Sequence, residues 1–120
     1  MDTKIYGNWG EQIALDFLKK KNFKLVKSGY RTRFGEIDLI VKDSHYIVFV
    51  EVKLRKNSGF ASARESVGKA KQARIIKTAG MWLVFSETDL QPRFDVIEIY
   101  VPDGLNSKNP EIIHIENAFI

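Results

Sequence analysis

The sequence holds no cysteine, two histidines, two methionines and three prolines in 120 residues. Without a thiol it has no disulfide, no thiolate metal ligand, no redox couple and no cysteine nucleophile. His45 and His114 lack ligand spacing, so both read as structural rather than as part of a zinc site. No apolar run approaches the ~20 residues that span a bilayer. The first residues, MDTKIYGNWGEQIALDFLKKK, contain no unbroken apolar h-region and no small-residue cleavage site. A soluble cytoplasmic protein with no membrane association is expected. Acid is scarce in places: residues 19–33 carry seven basic side chains and no acidic one.

What is present suits one packed domain over residues 1–120. Hydrophobic residues make up 44% of the chain. A chain of this length buries roughly two-thirds of its unfolded surface, enough to fold without a disulfide or a structural metal. The net charge of +4 is unevenly spread. Residues 1–80 carry 17 basic and 8 acidic side chains, and residues 81–120 carry 2 and 7. Clustered positive charge draws polyanions, nucleic acid first among them, though a solvated basic face would look the same.

The periodicities predict the order α-β-β-β-α-β-β, a mixed central sheet flanked by helices. On a helical wheel for residues 8–21, Asn8, Gln12, Asp16 and Lys19 share a polar arc, and Glu11 falls among Ala14, Leu15 and Leu18. Strands are expected at 23–33, 36–42 and 46–54, with Asp43-Ser44-His45 as turn chemistry. NSGFASAR reads as a Gly/Ser loop, followed by a helix from about Ser66 to Leu83 whose apolar stripe of Val67, Ile75, Ala79 and Trp82 contains Lys71. RFDVIEIYV and EIIHIE are the last strands, separated by a Pro/Gly/Asn-rich loop at 102–110.

Glu51 sits inside Val48-Phe49-Val50-Glu51-Val52, an apolar strand. An unpartnered buried carboxylate costs several kcal/mol, so something must compensate it. An antiparallel hairpin of 36–42 with 46–54 would pair Lys42 with Ile47, Ile40 with Phe49, Asp38 with Glu51 and Glu36 with Lys53, on one face of the sheet. Opposed carboxylates repel unless a cation lies between them. Mg²⁺, or Mn²⁺ in its place, prefers octahedral oxygen coordination by one or two carboxylates plus water and phosphate. Asp38 and Glu51 would be those ligands, Glu11 would add a third or orient a water, and Lys53 would hold a phosphate oxygen. The chemistry this set favours is phosphodiester hydrolysis, with a metal-activated water and Lys53 stabilising the added negative charge.

Asp38 with Glu51-Val52-Lys53 resembles the D…(D/E)-X-K core of the PD-(D/E)XK nuclease superfamily; Ile37 stands where the usual proline precedes the aspartate. The segments GNWGEQIALDFL, RFGEIDLI, FVEVKLR, RFDVIEIY and HIENAFI, with the helix bearing Lys71, resemble the small bacterial YraN-like family. That resemblance implies the restriction-endonuclease-like fold, an α-β-β-β-α-β core similar to archaeal Holliday-junction resolvases. It implies a catalytic set of Glu11, Asp38, Glu51 and Lys53, a Mg²⁺ or Mn²⁺ cofactor, a DNA substrate that is branched or structured, and a homodimer. It also implies that Lys71 or Gln72 reaches the site.

Arg31, Arg33, Arg55, Lys56 and Arg64 flank this set in sequence and, with Lys71, are candidates to grip a phosphate backbone, with loop 57–63 closing over it. Each residue also has a plainer reading. Asp38 and Glu51 would be solvated if their hairpin face were exposed, but Ile40, Ile47 and Phe49 would then be exposed too. Lys53 could be an ion-pair partner, Glu11 a first-turn acid favoured by the helix dipole, and Lys71 a snorkelling side chain. Asp95 reads as structural, paired with Arg93 or a strand neighbour. Two other functions stay open: a nucleic-acid-binding module without turnover, and an adaptor that uses a sheet edge.

Overall fold

Strands rich in Val, Ile and Phe that are buried on both faces require a layer on each side, and the chain supplies one helix for each. The structure is a computed structural model and describes residues 3–56 and 67–120. Helix α1 (Thr3–Lys20) leads into β1 (Lys24–Thr32), β2 (Gly35–Lys42) and β3 (Tyr46–Arg55). Helix α2 (Lys69–Ser86) then returns the chain to β4 (Gln91–Tyr100), a short 3-10 turn (Gly104–Asn106) and β5 (Glu111–Ile115). The five strands lie in the order β1-β2-β3-β4-β5. All neighbours are antiparallel except β3 and β4, which run parallel from Tyr46↔Gln91 to Arg55↔Tyr100. A parallel pair needs a crossover, and the segment containing α2 provides it. The expected mixed α/β sandwich and its element order are the observed ones.

Ala14, Leu15 and Leu18 of α1 pack on Leu39, Val41, Val48, Val50, Ile97 and Ile99. Ile75 and Ala79 of α2 pack with Val67 on the other face, against Ile40, Ile47, Phe49, Phe94 and Val96. These sets alternate along β3 and β4, so period-two patterning sorts the core into its two layers. Helix α1 begins before the expected residue 8 and stops where Asn22 turns left-handed (φ 71°). The Phe23 N–H then donates to Leu18 O and the Asn22 N–H to Lys19 O, the paired closure of a Schellman motif. Helix α2 starts at Lys69, later than the sequence suggests, because Gly68 is its extended N-cap. Val67 precedes the helix and is still buried; Ser66 lies outside the described residues.

Asp95 is wholly buried in β4 and holds the chain's end in place. Its carboxylate accepts from Arg93 Nε and Nη2 at 2.9 Å and from the Asn117 N–H at 3.0 Å, and it meets His114 Nε2 at 2.7 Å. Phe119 stacks on Phe94, which stacks on Phe49, with ring centroids 5.3 and 5.5 Å apart. Asp95 and His114 are thus structural, as the sequence suggests. Burial alone would raise the Asp95 pKa, but His114, Arg93 and the Asn117 N–H outweigh it and hold it below the ordinary carboxylate value. A depressed folded pKa contributes stability above the unfolded pKa and loses it as pH falls through the folded value. Asp95→Ala is expected to cost about 3–5 kcal/mol, the usual effect of orphaning one partner of a buried ion pair. Denaturant melts between neutral and strongly acidic pH check both points: the variant should be weaker at neutral pH and lose less on acidification.

Candidate active site

The β2–β3 ladder matches the expected register from Lys42↔Ile47 to Leu39↔Val50 and then ends. The further pairs Asp38–Glu51 and Glu36–Lys53 do not form as ladder pairs. Instead the Val52 N–H donates to Asp38 Oδ2 at 2.8 Å, so a side chain carries the link where backbone pairing has stopped. Beyond that point lies a cavity of about 720 Å³, bordered by the last residues of β3, Glu51 to Arg55, by Lys56 after them, and by Val101 just after β4. The carboxyl ends of parallel strands are where open α/β sheets bind ligands. Asp38, Glu11 with Tyr6 and Gly7 from α1, and Lys71 from α2 complete the wall.

Close docking of α1 brings Glu11 there. Gly10 is buried, and a Cβ on it would lie 2.9 Å from Leu54 Cδ2 of β3, so the missing side chain lets the helix lie against the strand. Glu11 is half-buried, as the wheel suggests. Burial raises its pKa, and the charges of Glu36 and Glu51 add to that. Glu51 is only 5% exposed. Lys71 Nζ stands 2.5 Å from Glu51 Oε1. Lys71 is therefore the direct protein counter-ion of Glu51, where the sequence suggests a metal with Lys53 beside it. Burial lowers the Lys71 pKa, but the hydrogen bond and charge of Glu51, with contact to Lys53 and the charge of Asp38, raise it overall. Lys53 responds oppositely: burial first, then the Lys71 charge and hydrogen bond, lower its pKa against the pull of Glu51 and Asp38.

Asp38 is pushed up to about 8 by burial first and by the Glu51 charge, against the Val52 N–H, with Glu11 raising it and Lys71 lowering it further. Burial and the neighbouring Glu51 charge thus make an ionised Asp38 costly in the protein alone. The pocket's donors are all hard carboxylate oxygens, the chemistry that suits Mg²⁺ or Mn²⁺. Asp38 Oδ1 accepts no hydrogen bond from the described residues. Asp38 and Glu51, with Glu11 beside them, are the groups that could hold such an ion. Among the described residues no three acidic or histidine side chains already close into a ligand cage.

Of the candidate phosphate contacts, Arg55, Lys56 and Lys71 border the cavity. Arg31 pairs instead with Glu36 at 3.0 Å on an exposed part of β1–β2. Arg33 lies over the Phe34 ring, 4.9 Å from its centroid. Gln72 does not reach the site; its side-chain amide donates to Val67 O at 2.8 Å, at the start of α2. Arg64 and loop 57–63 lie outside the described residues. The sequence reading did not identify Tyr6 as cavity wall, nor Glu98, which holds Arg55 at 2.9 Å. Glu98 was accessible to the rule that singled out Glu51, since it too interrupts an apolar strand.

A raised folded-state pKa on an acid destabilises as pH climbs from the unfolded toward the folded value. Asp38→Asn removes that penalty and keeps an acceptor for the Val52 N–H. It is expected to stabilise the metal-free protein at pH 8 by about 1–2 kcal/mol and to lose this advantage near pH 4; thermal melts in chelator at the two pH values check it.

The family model "Uncharacterised protein family UPF0102" matches residues 10–99. A UPF0102 protein of Geotalea daltonii is 44% identical over 119 residues, covering 98% of this chain and 91% of that protein. The UPF0102 protein of Caldanaerobacter subterraneus subsp. tengcongensis is 40% identical over 121 residues, covering 99% and 98%. That of Clostridioides difficile is 39% identical over 120 residues, covering 99% and 100%. The matched segment runs from Gly10, through the strands that carry Asp38 and Glu51-Val52-Lys53, to the buried Ile99 of β4. The chain belongs to the UPF0102 family, the YraN family that its sequence motifs resemble.

Proposed function

We propose that this protein is a metal-dependent endonuclease that hydrolyses DNA phosphodiester bonds. The observation that carries the reading is the meeting of Glu11, Asp38, Glu51, Lys53 and Lys71, from four separate elements, around one cavity. A bound Mg²⁺ or Mn²⁺ would supply Lewis-acid polarisation of the phosphoryl group and an activated water. Asp38 and Glu51 would hold it, with Glu11 as a further oxygen donor or a hydrogen-bond acceptor for that water. The Val52 N–H keeps the Asp38 carboxylate turned toward the cavity. The Lys53 ammonium stabilises the charge that gathers on the phosphoryl oxygens as the bond to the leaving oxygen breaks. Lys71, already against Glu51, can turn to a phosphate oxygen once Glu51 has another cation as partner.

DNA as the substrate is supported by the basic bias of residues 1–80 and by Arg55 and Lys56 on the cavity wall. A branched or structured substrate and a homodimer rest on the likeness to archaeal Holliday-junction resolvases, an analogy of fold. One observation favours a second reading, DNA binding without turnover: Lys71 gives Glu51 a counter-ion from the protein itself.

A cleavage assay with Mn²⁺ on supercoiled, single-stranded and four-way-junction DNA separates the two. The nuclease reading expects metal-dependent nicking that falls by about 10²–10³-fold in Glu51→Gln and in Lys53→Met, in the range for loss of one electrostatic catalytic group. Binding that needs no metal and weakens steeply with salt, with no product from any substrate, establishes the second reading instead.

A further inference from the structure

Glu98 has no part in the chemistry above, yet it is 0% exposed, near the carboxyl end of β4. Arg55 Nε donates to its Oε2 at 2.9 Å, and the Tyr100 hydroxyl donates to its Oε1. The parallel register sets Lys53 beside Glu98 and Arg55 beside Tyr100, so Arg55 shares β3 with Glu51 and Lys53 while Glu98 and Tyr100 lie on the neighbouring strand. Stability does not explain it, because a buried ion pair is commonly replaceable by apolar residues with no loss. Its geometric effect is on Arg55. With Nε tied down, the plane of the guanidinium is set, and among the described residues neither Nη has a partner. Arg55 borders the 720 Å³ cavity and its side chain is 31% exposed. Lys56, next along the chain, borders both this cavity and an adjoining one of about 410 Å³ that Tyr100, Lys108 and Glu111 also line. A guanidinium held in a fixed plane, next to the Lys56 ammonium, suits a diester phosphate better than a solvated lysine would.

We infer that Arg55 clamps a backbone phosphate of the nucleic acid next to the one being cleaved, and that Glu98 and Tyr100 are positioning residues that aim its guanidinium. This deepens the nuclease reading of the same cavity and rests on it.

The test is binding of a short fluorescein-labelled duplex DNA to the full chain in chelator, followed by anisotropy across a salt series. Glu98→Gln removes a negative charge near the DNA. Charge alone would tighten binding, whereas loss of positioning weakens it, by about three- to tenfold on the scale of one hydrogen bond. Tyr100→Phe changes no charge and is expected to weaken binding in the same direction by a smaller factor. The double variant Arg55→Leu/Glu98→Leu replaces the pair with apolar bulk; a melting temperature at or above wild type shows its fold intact. It is expected to make the slope of log K against log[salt] shallower by about 0.9, one phosphate contact fewer. Tighter or unchanged binding in Glu98→Gln, or an unchanged slope in the double variant, overturns the clamp. Wild-type cleavage with Mn²⁺ is scored separately. Cleavage together with an unchanged slope removes the clamp and leaves the nuclease reading. No cleavage together with the shallower slope removes the nuclease reading and keeps the phosphate contact.

Discussion

Past Leu39 and Val50 the two strands that bear Asp38 and Glu51 stop pairing, and the Asp38 carboxylate takes up the Val52 N–H in their place. The cavity depends on that parting. Had the ladder continued, the two carboxylates would have faced each other across a closed sheet, about 5 Å apart at Cβ, with little open space between them. Because it ends, the carboxyl end of β3 is open to α1 on one side and to the first turn of α2 on the other. The glycine at position 10 and the crossover to β4 then bring in Glu11 and Lys71.

The electrostatics of the pocket follow from burial. Three acids and two lysines line one cavity, and Glu51 among them is almost wholly buried. Lys71 answers Glu51 directly, while Asp38 is left with one backbone donor and a neighbouring negative charge, which burial makes costly. A fold built only for stability would replace Asp38 by an amide or an apolar residue. Acids perturbed in this way cluster at functional sites, and Asp38 is a candidate for one. The Asp95 cluster is the contrast: a fully buried acid with four hydrogen bonds from three residues, a depressed pKa and a purely architectural effect on the chain's end.

Much of this was legible in the sequence. Period-two alternation separated the strands, and the inward placement of Glu11 and the anomaly of Glu51 in VFVEV marked the site. The hairpin register was legible as far as the Asp43 turn dictates it, because Asp43 accepts from the His45 and Tyr46 N–H groups and sets the first pairs. Where the strands part was not legible, since side-chain capture of the Val52 N–H depends on three-dimensional proximity. The identity of Glu51's partner was hidden for the same reason. Lys53 is two residues away on the same face, but Lys71 comes from an element twenty residues later and reaches further. Glu98 was visible as a pattern and its attachment to Arg55 was not, because strand order, and so the β3–β4 register, is not written in local periodicity.

The central claim is that Asp38 and Glu51 form a site for a hard divalent cation. Titrating Mn²⁺ into the DNA-free protein at pH 8, with free Mn²⁺ followed by its electron paramagnetic resonance signal, tests it without reference to turnover. The account predicts saturable binding that is lost in Asp38→Asn and in Glu51→Gln while both variants stay folded. Binding of undiminished strength in both variants, or no saturable binding to the wild type, would contradict it.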